Sequence, residues 1–202
     1  MTVPPPAPEL MVRRWFNSEQ PLSLKALRGQ VILIHAFQML CPGCVLHAVP
    51  QTQRIAERVR EPNFRVLGLH TVFEHHEAMG EAALAAFIHE FRLTFPIGVD
   101  AHVNGDPTPA TMRAYRLRGT PSTLLIDHRG RLRLHEFGVM DDFDLGRRVG
   151  LLLAEAAADP IGTDRHPAPS SAQAGEAGGE VCDEVGCVLQ PGRHAEQRAG
   201  AG

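Results

Sequence analysis

The 202-residue chain balances 20 Lys and Arg against 23 Asp and Glu, a formal net charge of −3. Its cations are scattered, which excludes the basic footprint of a nucleic-acid binder, and no apolar run reaches the length of a membrane span. The length suits one domain with tails, able to bury its own core.

Residues 1–9 form a Pro-rich tail, expected to lie unpacked. Met1-Thr2-Val3-Pro4-Pro5-Pro6-Ala7-Pro8 lacks the charged and apolar regions of an export signal, so a cytoplasmic protein is expected. Four cysteines without an export signal point to catalytic or metal roles rather than a structural disulfide framework.

Val31–Phe37 is unbroken apolar apart from His35 and predicts a buried strand. Residues 45 to about 60 predict a helix, kinked at Pro50 because proline lacks the N–H that would continue the ladder. Phe64–His70 predicts a second strand, and residues 81–92 a helix with Leu84, Phe87, Ile88 and Phe91 on one face. Strand, crossover helix and strand imply parallel pairing. Residues 96–100 predict a short strand and 109–117 a helix. Residues 123–127 and 131–137 then predict a hairpin around His128-Arg129-Gly130. A last helix spans about 142–157, capped by Asp141 or Asp142. The pattern predicts an α/β fold, a central sheet flanked by helices over residues 10–158. From residue 159 to 202 the composition turns to Gly, Ala, Glu and Ser and predicts a flexible tail.

Cys41-Pro42-Gly43-Cys44 stands where the buried strand hands over to a helix. A thiolate at a helix N-terminus is stabilised by the positive end of the dipole and by unpaired backbone N–H groups. Attack on a substrate disulfide by Cys41 can then be resolved by Cys44 through a mixed disulfide.

Further residues in the same order are Pro21-Leu22-Ser23-Leu24-Lys25-Ala26-Leu27-Arg28-Gly29-Gln30, Tyr115-Arg116-Leu117-Arg118-Gly119-Thr120-Pro121-Ser122-Thr123 and Leu125-Ile126-Asp127-His128-Arg129-Gly130. Together with the cysteine pair they resemble the thioredoxin-like superfamily, more closely its TlpA/ResA and AhpC/TSA redoxin branch, across residues 10–158. The resemblance implies a thioredoxin-like mixed sheet and a thiol-disulfide oxidoreductase with no cofactor beyond a Cys41–Cys44 disulfide. It implies Cys41 as attacking thiol and Cys44 as resolving thiol, with Pro42 and Gly43 lining the substrate site. Pro121 becomes a cis-proline whose neighbour Thr120 pairs by its backbone with bound peptide. The partners expected are a disulfide- or dithiol-containing protein or small molecule and an upstream thiol reductant.

The chain departs from that pattern in places. Leu40 stands where many relatives carry Trp. His35 stands where thioredoxins carry a buried Asp and TlpA-type proteins commonly Asn. It is either the base that takes the Cys44 proton or a neutral core histidine. His70, Glu74, His75, His76 and Glu77 look like a metal cluster, but adjacent residues of an extended segment point apart, so a solvated loop is expected and no metal. Cys182 and Cys187, beside Val181, Val185, Val188 and Leu189, form a second close pair. The readings are a shuttle dithiol for Cys41 and Cys44, an inert pair, or a soft-metal site with His194.

Disulfide reduction is the leading function, since a reducing compartment favours that direction. A peroxiredoxin-like peroxidase is the first alternative. Peroxidases of that branch place Thr or Ser three residues before the cysteine and Pro further upstream, where this chain has Gln38 and Ile34, although the Thr71 hydroxyl could approach in space. A Sco-like copper carrier is the second, weakened by a spacing of two residues between the cysteines instead of three.

Overall fold

A computed structural model describes residues 3–159 and, by backbone alone, Cys182–Asp183 and Gly186–Cys187. Six strands form one mixed sheet: β1 (Val12–Phe16), β2 (Val31–Phe37), β3 (Phe64–His70), β4 (Ile97–Asp100), β5 (Ser122–Ile126) and β6 (Leu132–Phe137), in the order β1-β4-β3-β2-β5-β6. β2 runs parallel to β3, and β3 to β4, as the crossover pattern requires. β5 and β6 form the expected antiparallel hairpin, with β5 docked antiparallel on β2.

Four helices cover the sheet: α1 (Val49–Arg58), α2 (Glu81–Glu90), α3 (Ala110–Ala114) and α4 (Asp142–Ala158). On one face Val31, Leu33 and Phe37 meet Val49 of α1, Leu84 and Ile88 of α2, and Leu145, Val149 and Leu152 of α4. On the other, Ile32, Ile34 and Ala36 meet Met112 of α3, Tyr115, Leu24 and Leu27. Cover on both faces is why β2 reads as continuous apolar sequence. Asp141 caps α4 by accepting the N–H groups of Phe143 and Asp144.

Three elements differ from the sequence expectation. β1 has no predicted counterpart: Arg13 and Arg14 interrupt the apolar alternation of an edge strand, and a register shift between Val12 and Arg14 adds to the irregularity. The Pro-rich segment, expected to lie unpacked, is held along the end of the hairpin. Leu132 N–H donates to Pro5 O at 2.9 Å, Ala7 N–H to Gly130 O at 3.0 Å, and the Tyr115 hydroxyl to Pro8 O at 2.6 Å. Carbonyls remain available in proline-rich chain, so it can pair at an edge without a hydrophobic pattern of its own.

Ahead of Pro50, where a kink is expected, the helix opens with a π-helical turn over Cys44–Ala48, closed by Val49 N–H donating to Cys44 O. Widening the turn one residue before the proline absorbs its missing donor, and the helix continues through Pro50 in the first turn of α1. Separately, Cys182–Asp183 and Gly186–Cys187 form a two-stranded antiparallel ribbon (β7 and β8) in which Cys182 pairs with Cys187.

Candidate active site

The strand directions gather the candidate residues at one end of the sheet. β2 ends at Phe37, and the next residues lead through Cys41 into the helix. β5 is antiparallel to β2, with Ser122 beside Ala36, so the segment before β5 arrives at the same end. β3 is parallel, with His70 beside Phe37, so the loop after β3 arrives there too. Pairing alone therefore brings together Gln38–Cys44, Thr71–Glu74 and Gly119–Pro121.

Cys41 and Cys44 are both free, the first partly exposed and the second buried. Cys44 N–H donates to Cys41 Sγ at 3.3 Å, and the Cys41 thiol donates to Thr120 O at 3.4 Å. Cys41 O in turn accepts the N–H groups of Cys44 and Val45, both at 3.0 Å, which starts the helix. The Thr120–Pro121 peptide bond is cis. A Cβ on Gly43 would lie 3.3 Å from Pro121 Cδ, so only glycine lets the turn rest against the proline without displacement.

Burial, then the hydrogen bond with Cys41, pushes the Cys44 thiol up to about 12, while hydrogen bonds from the Gln38 backbone and the Thr120 side chain pull the other way. Cys44 thus holds its proton near neutral pH. Leu40, beside Cys41, and Leu46, two residues after Cys44, are exposed apolar residues.

His35 lies on the Cys44 face of β2, in line with Val31, Leu33 and Phe37. It is 2% exposed, its Nε2 has no hydrogen-bond partner, and burial lowers its pKa to about 4. The imidazole is therefore neutral near pH 7, the form that both the core reading and the base reading of His35 require. His70 is likewise buried and lowered to about 4, first by burial and then by the charge of Arg13.

The residues of the histidine segment point to different neighbours. His70 is inside β3, His76 meets His102 edge to face at 5.3 Å, and Glu74 turns toward Gln38. Among the described residues, no group of three or more His, Cys, Asp or Glu converges on a point that would hold a metal ion. Thr71 is 0% exposed, and its hydroxyl donates to buried Asp100 at 2.9 Å. The backbones of Cys182 and Cys187 are paired, and their side chains lie outside the described residues.

Gln38 is the residue sequence reasoning underrated, entering only as the occupant of a peroxide-cradle position. It is 1% exposed and touches the Phe73–Glu74 loop, Thr120 and Cys41. A polar residue closing a strand of uniform burial, three positions before a reactive cysteine, was the available signal.

Residues 4–135 match the model of the AhpC/TSA family. The chain is similar to a solved thioredoxin-like superfamily protein, at 53% identity with a TM-score of 0.71, covering 73% of this chain and 96% of that one. It is similar to a thiol-disulfide isomerase from Corynebacterium glutamicum, at 50% identity and TM-score 0.71, covering 74% of this chain and 96% of the other. Protein DipZ of Mycobacterium bovis is 30% identical over 139 residues, and the match spans 67% of this chain but 19% of DipZ. With a free cysteine pair at the head of a helix, a cis Thr-Pro bond against it and these relatives, the chain belongs to the AhpC/TSA family and is a thioredoxin-like thiol-disulfide oxidoreductase.

Proposed function

We propose that the protein reduces disulfides of protein or small-molecule partners in a reducing compartment, with Cys41 attacking and Cys44 resolving. The observation that carries this reading is the geometry at Cys41. Its sulfur is partly exposed and accepts the Cys44 N–H, a donor that stabilises a thiolate, while Cys44 waits buried one turn behind. The Cys41 thiolate attacks one sulfur of the partner disulfide, and the other sulfur leaves as a thiolate that takes up a proton. Cys44 then loses its proton and attacks Cys41 Sγ. The Cys41–partner bond breaks, the partner leaves with the electron pair, and the Cys41–Cys44 disulfide remains for an upstream dithiol to reduce.

Thr120 and Pro121 beside Cys41 supply the edge on which an extended peptide would lie, with Pro42 and Gly43 forming the opposite lip. Leu40 and Leu46 favour partners with apolar residues next to their cysteine. The engaged Thr71 hydroxyl and Gln38 at the cradle position weigh against peroxide as the main substrate.

Substrate trapping tests the reading: a Cys44→Ser chain should hold natural partners on Cys41 as reductant-sensitive adducts, and Cys41→Ser should hold none. Adducts of equal yield with both variants would overturn it. An insulin-reduction assay beside a peroxide-consumption assay, both with dithiothreitol, checks the substrate class.

A second redox pair belongs to the proposal. The backbones of Cys182 and Cys187 occupy paired positions of an antiparallel ribbon. Paired backbone positions suit a dithiol that closes and reopens in exchange with Cys41 and Cys44.

A further inference from the structure

Arg118 stands two positions before Thr120 and is exposed. Among the described residues no carboxylate pairs with it. Its guanidinium instead lies over the Phe137 ring, 5.1 Å from the centroid. Attraction to the ring face seats the cation and leaves its N–H donors free for a ligand.

Phe137 ties this cation to the site. It is the last residue of β6 and pairs with Ser122, while its neighbour Gly138 donates its N–H to Pro121 O at 2.8 Å. A Cβ on Gly119 would lie 3.0 Å from Phe137 Cε2, so the absence of a side chain lets the ring lie against the backbone between Arg118 and Thr120. The ring is 43% exposed, a surface platform rather than a core side chain. The guanidinium is thus held beside the backbone edge next to Cys41.

The two sides of that edge carry opposite charge. Glu74, in the loop after β3, has its carboxylate 3.3 Å from Gln38 Nε2, and the same nitrogen reaches Thr120 Oγ1 at 3.5 Å. In the strand order β3-β2-β5-β6, Glu74 flanks Thr120 from the β3 side and Arg118 flanks it from the β6 side. The anion is engaged by Gln38, and the cation is not engaged by any carboxylate of the described residues.

We propose that Arg118 is a specificity-determining residue of the exchange: it selects partners that carry an acidic side chain two positions from the residue paired with Thr120. The proposal rests on the reading that an extended partner lies along Thr120 for attack by Cys41. Side chains two apart on one strand face side chains two apart on the next, so that partner residue lies across from Arg118. A Glu there offers both carboxylate oxygens to the guanidinium fork, whereas a Lys meets like charge. The chemistry is unaltered: Cys41 Sγ bonds to one partner sulfur, and the other leaves with the bonding pair and takes up a proton.

Homodimeric disulfide peptides bearing a self-quenching fluorophore provide the test, with Glu, Gln or Lys two positions before or after the single cysteine. Reduced full-length protein with Cys182 and Cys187 replaced by Ser confines the reaction to Cys41 and Cys44. On one side of the cysteine, the second-order rate constant for Glu should exceed that for Lys about fivefold, the reach of an exposed charge pair. The ratio should shrink as salt is raised. Arg118→Gln should bring it to about one, and Arg118→Glu should invert it. Phe137→Leu, which keeps an apolar contact on Gly119 but removes the ring face, should lower it. A ratio of one in the parent protein, or the same ratio in the parent protein and Arg118→Gln, overturns the proposal. Reduction of the peptides by a Cys41→Ser chain would instead remove the reading on which it rests.

Discussion

Acidification from pH 7 to 5 should destabilise this protein through two buried imidazoles. His35 and His70 both have pKa values lowered from 6.5 to about 4, chiefly by burial. A base whose folded pKa lies below its unfolded value is protonated first in the unfolded chain, so its contribution is complete above about pH 6.5 and is lost as pH falls toward 4. At pH 5 the loss is about 2 kcal/mol for each histidine, about 4 kcal/mol for the two, against a typical domain stability of about 5–15 kcal/mol. Asp100 works in the opposite direction, because burial raises its pKa against the hydrogen bonds from Thr111, Thr71 and Met112. The comparison between variants is therefore cleaner than the wild-type slope. Guanidinium unfolding followed by circular dichroism at pH 7, 6 and 5 should show His35→Gln losing about 2 kcal/mol less than wild type over the same range. Identical pH dependence in the two chains would refute the reasoning, since it would mean that His35 binds protons equally in the folded and unfolded states.

Gly68→Ala should lower stability by about 1–3 kcal/mol in thermal melts, because a Cβ there would lie 2.9 Å from Ile97 Cγ1 and 3.0 Å from the Phe95 ring in a packed interior. Asp127→Ala should cost about 3 kcal/mol by denaturant titration. Its buried carboxylate accepts the N–H groups of Arg129 and Arg131 and the side chains of Arg131 and Arg133, and removal leaves the hairpin turn and the Arg131 guanidinium without their partner, while Arg133 keeps Glu155. Those same contacts outweigh burial and hold the Asp127 carboxyl below its ordinary range, so its own contribution should vanish only in strong acid. Cys182→Ser should slow steady-state turnover with a protein disulfide and a dithiol reductant while leaving the single-turnover oxidation of Cys41 and Cys44 unchanged. Unaltered turnover would remove the shuttle role of the tail pair.

What the chain alone determined was what periodicity and local chemistry carry. The buried run at Val31–Phe37, the parallel step to Phe64–His70, the hairpin around Gly130 and the capped last helix are each written in a local pattern. So is the placement of two thiols at the start of a helix, because the motif carries its own spacing. Tertiary structure decided the rest, since it depends on contacts between distant residues. β1 exists because β4 offers an edge, and the Pro-rich segment is ordered because the hairpin end has free backbone groups. Whether His35 is neutral follows from how completely the packed interior excludes water from it. The contact of Gln38 with Thr120 spans 82 positions of the chain. Only the antiparallel docking of β5 on β2 brings those two ends together, and no reading of either segment by itself contains that pairing.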